Sequence, residues 1–379
     1  MTDSCPDTSA LGLYVHFPWC VKKCPYCDFN SHPSNGDIPQ EAYASALIND
    51  LEKQSNDLFG YQRFATVFIG GGTPSLFDPC QLDRVFEAID LTADAEVTME
   101  ANPGTTERFS FSAYRSIGIN RLSIGAQSFD DEHLQVLGRI HEATHTAKAF
   151  QTAREAGFEN INVDLMWGLP QQTTAQAMQD LSTAIALSPE HISWYQLTLE
   201  PRTEFAKRPP IIPVEPILAE IESEGLALLE SSGFERYEIS GFAKPGFTCA
   251  HNLNYWRFGD YVGIGAGAHG KCTSSDPMPV QVARTNKAKQ PRLYLQRATD
   301  IDINPVIEDA LPLEFMMNAL RLVDGVSQEL FAQRTGIDWH RIDEVWSNLA
   351  ERGLVYADRC AATTMGVRYL DTVLGEFVN

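Results

Sequence analysis

The sequence lacks the features that mark several classes of protein. No apolar run in its 379 residues reaches the roughly 18 residues that a membrane-spanning helix needs. Positive charge is scarce, because 29 Lys and Arg stand against 50 Asp and Glu and give a net charge of -21, which would repel a phosphate backbone. Residues 1–10 are polar and do not resemble a secretion signal. We therefore expect a soluble, cytoplasmic protein for which nucleic acid is not a partner.

Cysteine is sparse as well, and only three of the 8 cysteines lie close together in the sequence. Cys20, Cys24 and Cys27 form a C-x3-C-x2-C loop directly after a short apolar run that predicts a first strand. A 4Fe-4S cluster normally takes one thiolate per iron, and no fourth cysteine is near. The loop therefore predicts a cluster with one iron open to another ligand. The other cysteines have no paired spacing and are interpreted as reduced thiols; they are Cys5, Cys80, Cys249, Cys272 and Cys360.

A structural zinc site is the alternative for this loop. His32 would complete a set of three cysteines and one histidine, with His16 as a second candidate. Structural zinc usually stabilises small domains that lack a core, whereas this loop opens a long α/β pattern. The spacing leaves both metals open, and the position in the chain favours iron and sulfur.

The first 200 residues alternate short β-branched or aromatic runs with amphipathic stretches of helical length, which is typical of βα units around a parallel sheet. The predicted strands are 11–16, 66–69, 96–100, 121–124, 160–165 and 191–197. The predicted helices between them are 40–56, 81–90, 105–117, 145–156 and 174–187. Six units predict an α/β fold, a partial (β/α)6 barrel.

The rest of the chain predicts two further segments. A proline-rich linker over residues 201–216 leads to a helix over 215–231 and to a part rich in glycine, aromatic residues and short strands over 234–270. Three helical stretches from about Leu311 predict a helical or winged-helix-like end. We divide the chain into a barrel (1–200), an extension (201–290) and a C-terminal domain (291–379). From residue 301 onward six arginines and no lysine face thirteen acidic residues, so protein contact is favoured there over DNA binding.

In such a barrel, functional residues lie at the carboxyl ends of the strands. The segment 70–75, GGGTPS, follows strand two, Glu100 ends strand three, Gln127 follows strand four and Asp164 lies near the end of strand five. Successive glycines let backbone groups approach a ligand closely, carboxylates can hold hydroxyls or an ammonium, and Arg139 can bind a carboxylate. Each residue alone is more often structural, but their shared location predicts a binding site.

Six motifs in order resemble the radical S-adenosylmethionine proteins related to oxygen-independent coproporphyrinogen III oxidase: YVHFPW before the cysteine loop, GGGTPS, MEANPGT, RLSIGAQSF, LGRIH and VDLMWGLP. The resemblance covers nearly the whole chain. It implies a 4Fe-4S cluster on Cys20, Cys24 and Cys27 whose open iron binds S-adenosylmethionine, and an electron that cleaves the sulfonium to a 5′-deoxyadenosyl radical. The nucleotide contacts it implies are Tyr14, Tyr26, Gly71, Gly72, Thr73, Glu100, Gln127, Arg139 and Asp164.

Two departures favour the heme-chaperone branch of this family over the oxidases. The oxidases typically continue the loop as C-x3-C-x2-C-x-C, where this chain has Phe29, and they have a longer arm before the first strand. The segment 251–256 matches the HNxxYW signature of the chaperone branch. The oxidase, which converts propionates to vinyl groups by hydrogen-atom abstraction, is the alternative function, and a zinc-stabilised binding protein is the alternative outside both.

The resemblance also implies a heme site. His251 becomes the leading heme ligand, with Tyr255 and Trp256 packing against the porphyrin and with Cys249 and His269 as competitors. Judged from the residues alone, this segment predicts a packed strand with a satisfied histidine. The implied partners are heme-acceptor proteins, some of them at membranes, which leaves open a peripheral membrane contact; a homodimer is left open too.

Two further patterns are interpreted as coincidental. Residues 141–145 fit H-E-x-x-H, but Thr144 is expected to cap the next helix, so that His141 precedes it and lies on no shared face. Residues 265–270 fit G-x-G-x-x-G, but no helix is predicted to follow them.

Overall fold

The computed structural model describes residues 11–34, 38–60, 63–105, 108–274 and 280–378, so that Cys5 lies outside the described residues. Six parallel strands pair in chain order and form the barrel. These strands are β1 Leu11–Phe17, β2 Phe64–Gly71, β3 Leu91–Ala101, β4 Arg121–Gln127, β5 Asn160–Trp167 and β6 His191–Gln196. The predicted partial (β/α)6 barrel is confirmed.

The barrel helices are α1 Gln40–Gln54, α2 Pro79–Glu87, α3 Phe111–Ser116, α4 Asp131–Val136, α5 Ala143–Glu155 and α6 Thr174–Ala186. The third is shorter than predicted because Ser110 caps it, accepting a hydrogen bond from the Ala113 N–H, while Pro103–Thr105 is a separate 3₁₀ turn. α4 was not predicted; the Asp130 carboxylate caps it by accepting from two backbone N–H groups.

The sheet continues past the barrel on both sides. After α7 Glu204–Lys207 and α8 Glu215–Ser231, the latter with the predicted bounds, β7 Gly241–Ala243 pairs antiparallel with β6. α9 Ala250–Trp256 then leads to β8 Tyr261–Ile264, which pairs parallel with β1. β9 His269–Ser274, β10 Gln281–Asn286 and β11 Asp302–Pro305 extend that edge antiparallel, with α10 Pro291–Gln296 between the last two.

Alternation along the strands gives the barrel two different faces. Leu13, Val15 and Phe17 of β1 belong to the buried apolar core that also includes residues of the surrounding helices. The other face carries polar side chains that are also buried, such as Arg121 and His191. The barrel interior is therefore a polar lumen inside an apolar shell.

The C-terminal domain is helical and has its own core. Its helices are α11 Leu311–Ala319, α12 Gln328–Thr335, α13 Asp343–Glu351, α14 Thr364–Arg368 and α15 Leu370–Gly375. Phe315, Phe331 and Trp346 form the centre of a second apolar cluster. Among the described residues, none of the helices combines the length and apolar character needed to cross a membrane.

Candidate functional site

A cavity of about 260 Å³ opens at the carboxyl ends of the barrel strands. Most of the residues singled out in the sequence line it: Cys20, Cys24, Tyr26, Cys27, Gly71, Gly72, Thr73, Glu100, Gln127, Arg139 and Asp164. Tyr14 is not among the lining residues; its hydroxyl hydrogen-bonds to His16 Nδ1 at 3.0 Å. Loops that are more than a hundred residues apart in the sequence thus line the same cavity, as expected for this end of a parallel barrel.

Contacts on several sides hold the cysteine loop in place. The Cys27 N–H donates to the Cys24 carbonyl at 3.1 Å, and the Phe205 N–H donates to the Pro25 carbonyl at 3.0 Å.

Burial, and secondarily Cys27, raises the pKa of Cys20 to about 11, and burial also raises the pKa of Cys27. In the metal-free protein these sulfurs are thiols, so iron binding would release protons.

The two candidate fourth ligands for zinc are both held by Asn30. His16 Nε2 hydrogen-bonds to the Asn30 carbonyl at 2.9 Å, and His32 Nε2 hydrogen-bonds to Asn30 Oδ1 at 3.2 Å. Within the described residues, no group of three or more His, Cys, Asp or Glu side chains is arranged to hold a single metal ion. Zinc needs its ligands around one centre, whereas each cysteine of a cluster binds a different iron. The three cysteines line the cavity together, whereas both histidines are hydrogen-bonded to Asn30, and this arrangement suits a cluster held by three thiolates.

Close packing requires the glycines after β2. Gly71 has φ +116°, and a Cβ there would lie 2.6 Å from the His16 ring. A Cβ on Gly72 would lie 2.4 Å from the Trp19 carbonyl oxygen. Since the Gly71 N–H also donates to Glu100 Oε2 at 3.1 Å, this turn orients one carboxylate of the cavity.

Glu100 and Asp164 place two carboxyl groups in the cavity wall. Burial, and to a smaller extent repulsion from Asp164, raises the pKa of Glu100 to about 8. The hydrogen bond from the Gly71 N–H lowers this pKa but does not cancel the increase. Burial also raises the pKa of Asp164, whose oxygens accept hydrogen bonds from Ser123 and Asn162, both at 2.8 Å. In the described part of the chain neither carboxyl forms an ion pair. Two such groups facing an open cavity suit a cationic ligand that also carries hydroxyls.

Arg139 supplies the opposite charge to the same cavity. Its Nη2 donates to the Gly125 carbonyl at 3.0 Å and its Nη1 lies 3.9 Å from Cys24 Sγ. Its Nε is buried and has no hydrogen-bond partner among the described residues. A guanidinium has five N–H groups, so Arg139, which lines the cavity, keeps donors that can bind a ligand carboxylate beside the cysteine loop. The donor and acceptor set of the cavity therefore fits S-adenosylmethionine, which carries an ammonium, a carboxylate, a sulfonium and ribose hydroxyls.

Sequence reasoning missed several lining residues, among them Ser123 and Tyr195. The Tyr195 hydroxyl donates to Gln127 Oε1 at 2.5 Å, and Gln127 itself adopts φ +70°. The signal for Ser123 was available in the sequence, because it precedes the predicted site residue Gln127 by four positions and so lies on the same face of β4. Tyr195 is the penultimate residue of β6, and no sequence motif includes it.

The predicted heme segment lies away from this cavity and is a helix, so the strand expected there is wrong. Glu96 caps α9, accepting from the backbone N–H groups of Ala250 and His251, both at 3.2 Å. His251 is buried, and its ring hydrogen-bonds to Thr66 Oγ1 through Nδ1 at 2.8 Å and to the Tyr255 hydroxyl through Nε2 at 2.9 Å. Burial lowers the pKa of His251 to about 3. Both ring nitrogens are therefore already engaged.

The two coincidental motifs have ordinary structural roles. His141 precedes α5, and its Nε2 lies 3.2 Å from the Ala126 carbonyl oxygen. The cap of α5 is Glu142 and not Thr144, because the Glu142 N–H donates to His145 Nδ1 at 3.1 Å. The glycines of residues 265–270 form a turn into β9, with φ +103° at Gly265.

Comparison with known proteins adds the family to this geometry. Residues 14–184 match the Radical SAM superfamily and residues 308–359 match the HemN C-terminal domain. The chain is 48% identical over 378 residues to a protein named heme chaperone HemW from Escherichia coli, covering 97% of this chain and 98% of the relative. It is 43% identical to the protein of the same name from Haemophilus influenzae, covering 98% and 99%.

Among solved structures, the chain resembles coproporphyrinogen III oxidase (HemN) from Escherichia coli, described as a radical SAM enzyme. The TM-score is 0.79, the sequence identity is 23%, and the match covers 97% of this chain and 90% of the other. At this identity the likeness shows a common fold.

Proposed function

The chain belongs to the radical S-adenosylmethionine family that includes the proteins named heme chaperone HemW, and we propose that it binds heme and delivers it to acceptor proteins. The observation that carries this proposal is the 48% identity over nearly the full length of both chains to a protein of that name. Phe29, at the position where the oxidases typically have a further cysteine, supports the chaperone over the oxidase.

The family implies a 4Fe-4S cluster and S-adenosylmethionine, and the cavity has residues suited to both. Cys20, Cys24 and Cys27 would hold the cluster, which when bound supplies the electron that cleaves the sulfonium. Glu100, oriented by the Gly71 N–H, would take the ammonium or a hydroxyl, and Arg139 would bind the carboxylate.

Heme binding rests on the names of the relatives and on the segment 251–256. Because Thr66 and Tyr255 occupy both ring nitrogens of His251, ligation of heme iron by this residue requires one of these hydrogen bonds to break. The buried, uncharged imidazole is in the protonation state that an iron ligand needs. Heme-acceptor proteins, a membrane contact and a homodimer remain predictions from the resemblance.

The second candidate function is oxygen-independent oxidation of coproporphyrinogen III, and the fold shared with HemN favours it. Anaerobic incubation of the reconstituted protein with coproporphyrinogen III, S-adenosylmethionine and a reductant distinguishes the two. A vinyl product would overturn the chaperone proposal, and unchanged coproporphyrinogen is the expected result.

Heme titration tests the proposed function directly. After anaerobic reconstitution with iron and sulfide, which should give a brown protein, heme is titrated into the wild type and into His251→Ala, and the Soret band is recorded. His340→Ala is the matched control, because His340 is exposed on the C-terminal domain. We expect the control to match the wild type and His251→Ala to lose affinity and shift the band. No heme binding by the wild type contradicts the function, whereas an unchanged His251→Ala contradicts only the ligand assignment.

A further inference from the structure

A second cavity, of about 130 Å³, lies between α8, the turn after Arg236 and the C-terminal domain. Three arginines line it, Arg236, Arg321 and Arg368, with Glu222 as the one acidic lining residue. The chain as a whole carries a charge of -21, so three guanidinium groups around one cavity run against its overall charge. Such a cavity favours an anionic ligand.

The arginines are only partly satisfied by the protein. Arg321 Nη2 donates to the buried Glu238 carboxylate at 3.1 Å, but its Nε is buried without a hydrogen-bond partner among the described residues. Arg236 donates to the Ile239 carbonyl at 2.6 Å; burial lowers its pKa, Glu222 and Glu238 oppose this effect, and Arg321 adds to it. Arg368 is exposed, and in the described part of the chain no hydrogen bond or ion pair holds its side chain. An added carboxylate would satisfy unused donors.

The cavity is too small to enclose a whole ligand and has an apolar surround. Its volume is below the roughly 300–1,000 Å³ of pockets that hold drug-sized molecules, so it suits one arm of a larger molecule. Val323 and Tyr356 line it and are 38% and 37% exposed. Met365 of the adjoining helix α14 is 49% exposed, and Tyr369, which follows that helix, is 57% exposed. A ligand with an acidic arm and an apolar body matches this combination.

The cavity is connected to the predicted heme segment. The Arg321 guanidinium lies 4.4 Å from the centre of the Trp256 ring, and Trp256 is the last residue of α9. The Trp256 indole N–H is also buried without a partner among the described residues. One side chain therefore links the basic cavity to the helix that carries His251.

We propose that this cavity binds a heme propionate, with Arg321 and Arg368 as the groups that recognise the carboxylate and with the exposed apolar residues beside the porphyrin. This inference rests on the proposed function, because it names how the same protein would hold its heme. It requires no particular iron ligand, and it predicts that the propionates contribute to affinity through these arginines.

Titrations of heme and of heme dimethyl ester, in which both propionates are blocked, test this inference. The variant is Arg368→Glu, chosen because Arg368 is exposed and its replacement should leave the fold intact. Arg292→Glu on α10 makes the same change of charge at another exposed arginine and is the matched control. We expect Arg368→Glu to raise the Kd for heme about tenfold, without moving the Soret maximum and without changing the Kd for the ester.

The outcomes separate the inference from the function. If the wild type binds heme but binds the ester equally well, or if Arg368→Glu binds heme like Arg292→Glu, the propionate assignment is wrong and the chaperone proposal stands. If the wild type binds no heme, both are wrong. Weaker heme binding confined to Arg368→Glu, together with weaker binding of the ester by the wild type, supports the inference.

Discussion

Glu100 carries the main electrostatic conflict of the cofactor cavity. Its carboxyl is buried next to Asp164, and the Gly71 N–H offsets only part of the cost, which leaves the pKa of Glu100 at about 8. The ligand-free protein therefore keeps a proton on Glu100 at neutral pH. A cationic ligand would favour the charged carboxylate and release that proton. The site therefore favours positive charge, and the buried carboxyl lowers the free energy of unfolding of the ligand-free protein.

Replacement of Glu100 by glutamine should expose this trade-off. The pKa of Glu100 is about 8 in the folded protein, against an unfolded value of 4.5. Below pH 4.5 the carboxyl is protonated in both states and costs no stability. As the pH rises from 4.5 to about 8, the unfolded state loses the proton first, so the folded protein loses stability. We therefore expect the free energy of unfolding of Glu100→Gln to gain about 1–3 kcal/mol relative to the wild type between pH 6 and pH 9. Urea unfolding of the cofactor-free proteins at both pH values measures this difference.

The same variant should bind S-adenosylmethionine more weakly than the wild type, because it cannot become an anion. The affinity of the wild type should rise as the pH approaches 8, and that of Glu100→Gln should stay flat over this range, as anaerobic calorimetry can show. A stability difference between the two proteins that is independent of pH would contradict the raised pKa.

At the scale of elements, the strands were predictable and some helices were not. β1, β2 and β4 to β6 begin within two residues of the predicted positions because each is an apolar run flanked by polar segments. α9 was mistaken for a strand because its seven residues are rich in aromatic side chains. Its N-terminal cap is Glu96, more than 150 positions away in the chain. The four-residue spacing of His251 and Tyr255 was the only local helical signal.

Helix α8 packs against the barrel through a glycine that the sequence does not mark as special. A Cβ on Gly225 would lie 1.9 Å from Cη2 of the buried Trp194. We expect Gly225→Ala to lower the free energy of unfolding by about 1–3 kcal/mol, because the helix must move away from β6. Gly375→Ala in α15 is the control, since nothing lies within 4 Å of its Cβ position. Equal urea midpoints for the two variants would show that α8 adjusts freely.

At the scale of the whole molecule, strands that follow the sixth barrel strand in sequence pair with the two edge strands of the barrel. Residues beyond 200 place β7 beside β6 and β8 beside β1, so that the sheet extends from both edges of the barrel. The sequence indicated the six barrel units from local periodicity. It also indicated short strands in the extension, but not which barrel strands they join, because the pairing of β8 with β1 connects residues about 250 positions apart and depends on tertiary contacts.

A buried ion pair joins the sheet extension beyond β8 to the barrel. Lys287, which follows β10, pairs with Asp50 of α1, and both side chains are almost fully buried. Asp50 also accepts hydrogen bonds from Tyr294 at 2.8 Å and Gln54 at 2.9 Å. Lys287 donates to the Ala298 carbonyl at 3.0 Å. The pair thus joins the sheet extension to the first helix of the barrel.

Lys287→Met should leave the Asp50 carboxylate buried without a counter-charge and lower the free energy of unfolding by about 3–5 kcal/mol. Lys53→Met, which breaks the exposed ion pair with Asp57, is the matched control and should change it by less than about 1 kcal/mol. The double variant Asp50→Asn, Lys287→Met should recover part of the loss, because the cost comes from an uncompensated charge and not from the missing attraction. Urea unfolding of the wild type and the three variants measures these differences. If the double variant is no more stable than Lys287→Met, the packing around Lys287, and not its charge, holds the extension to the barrel.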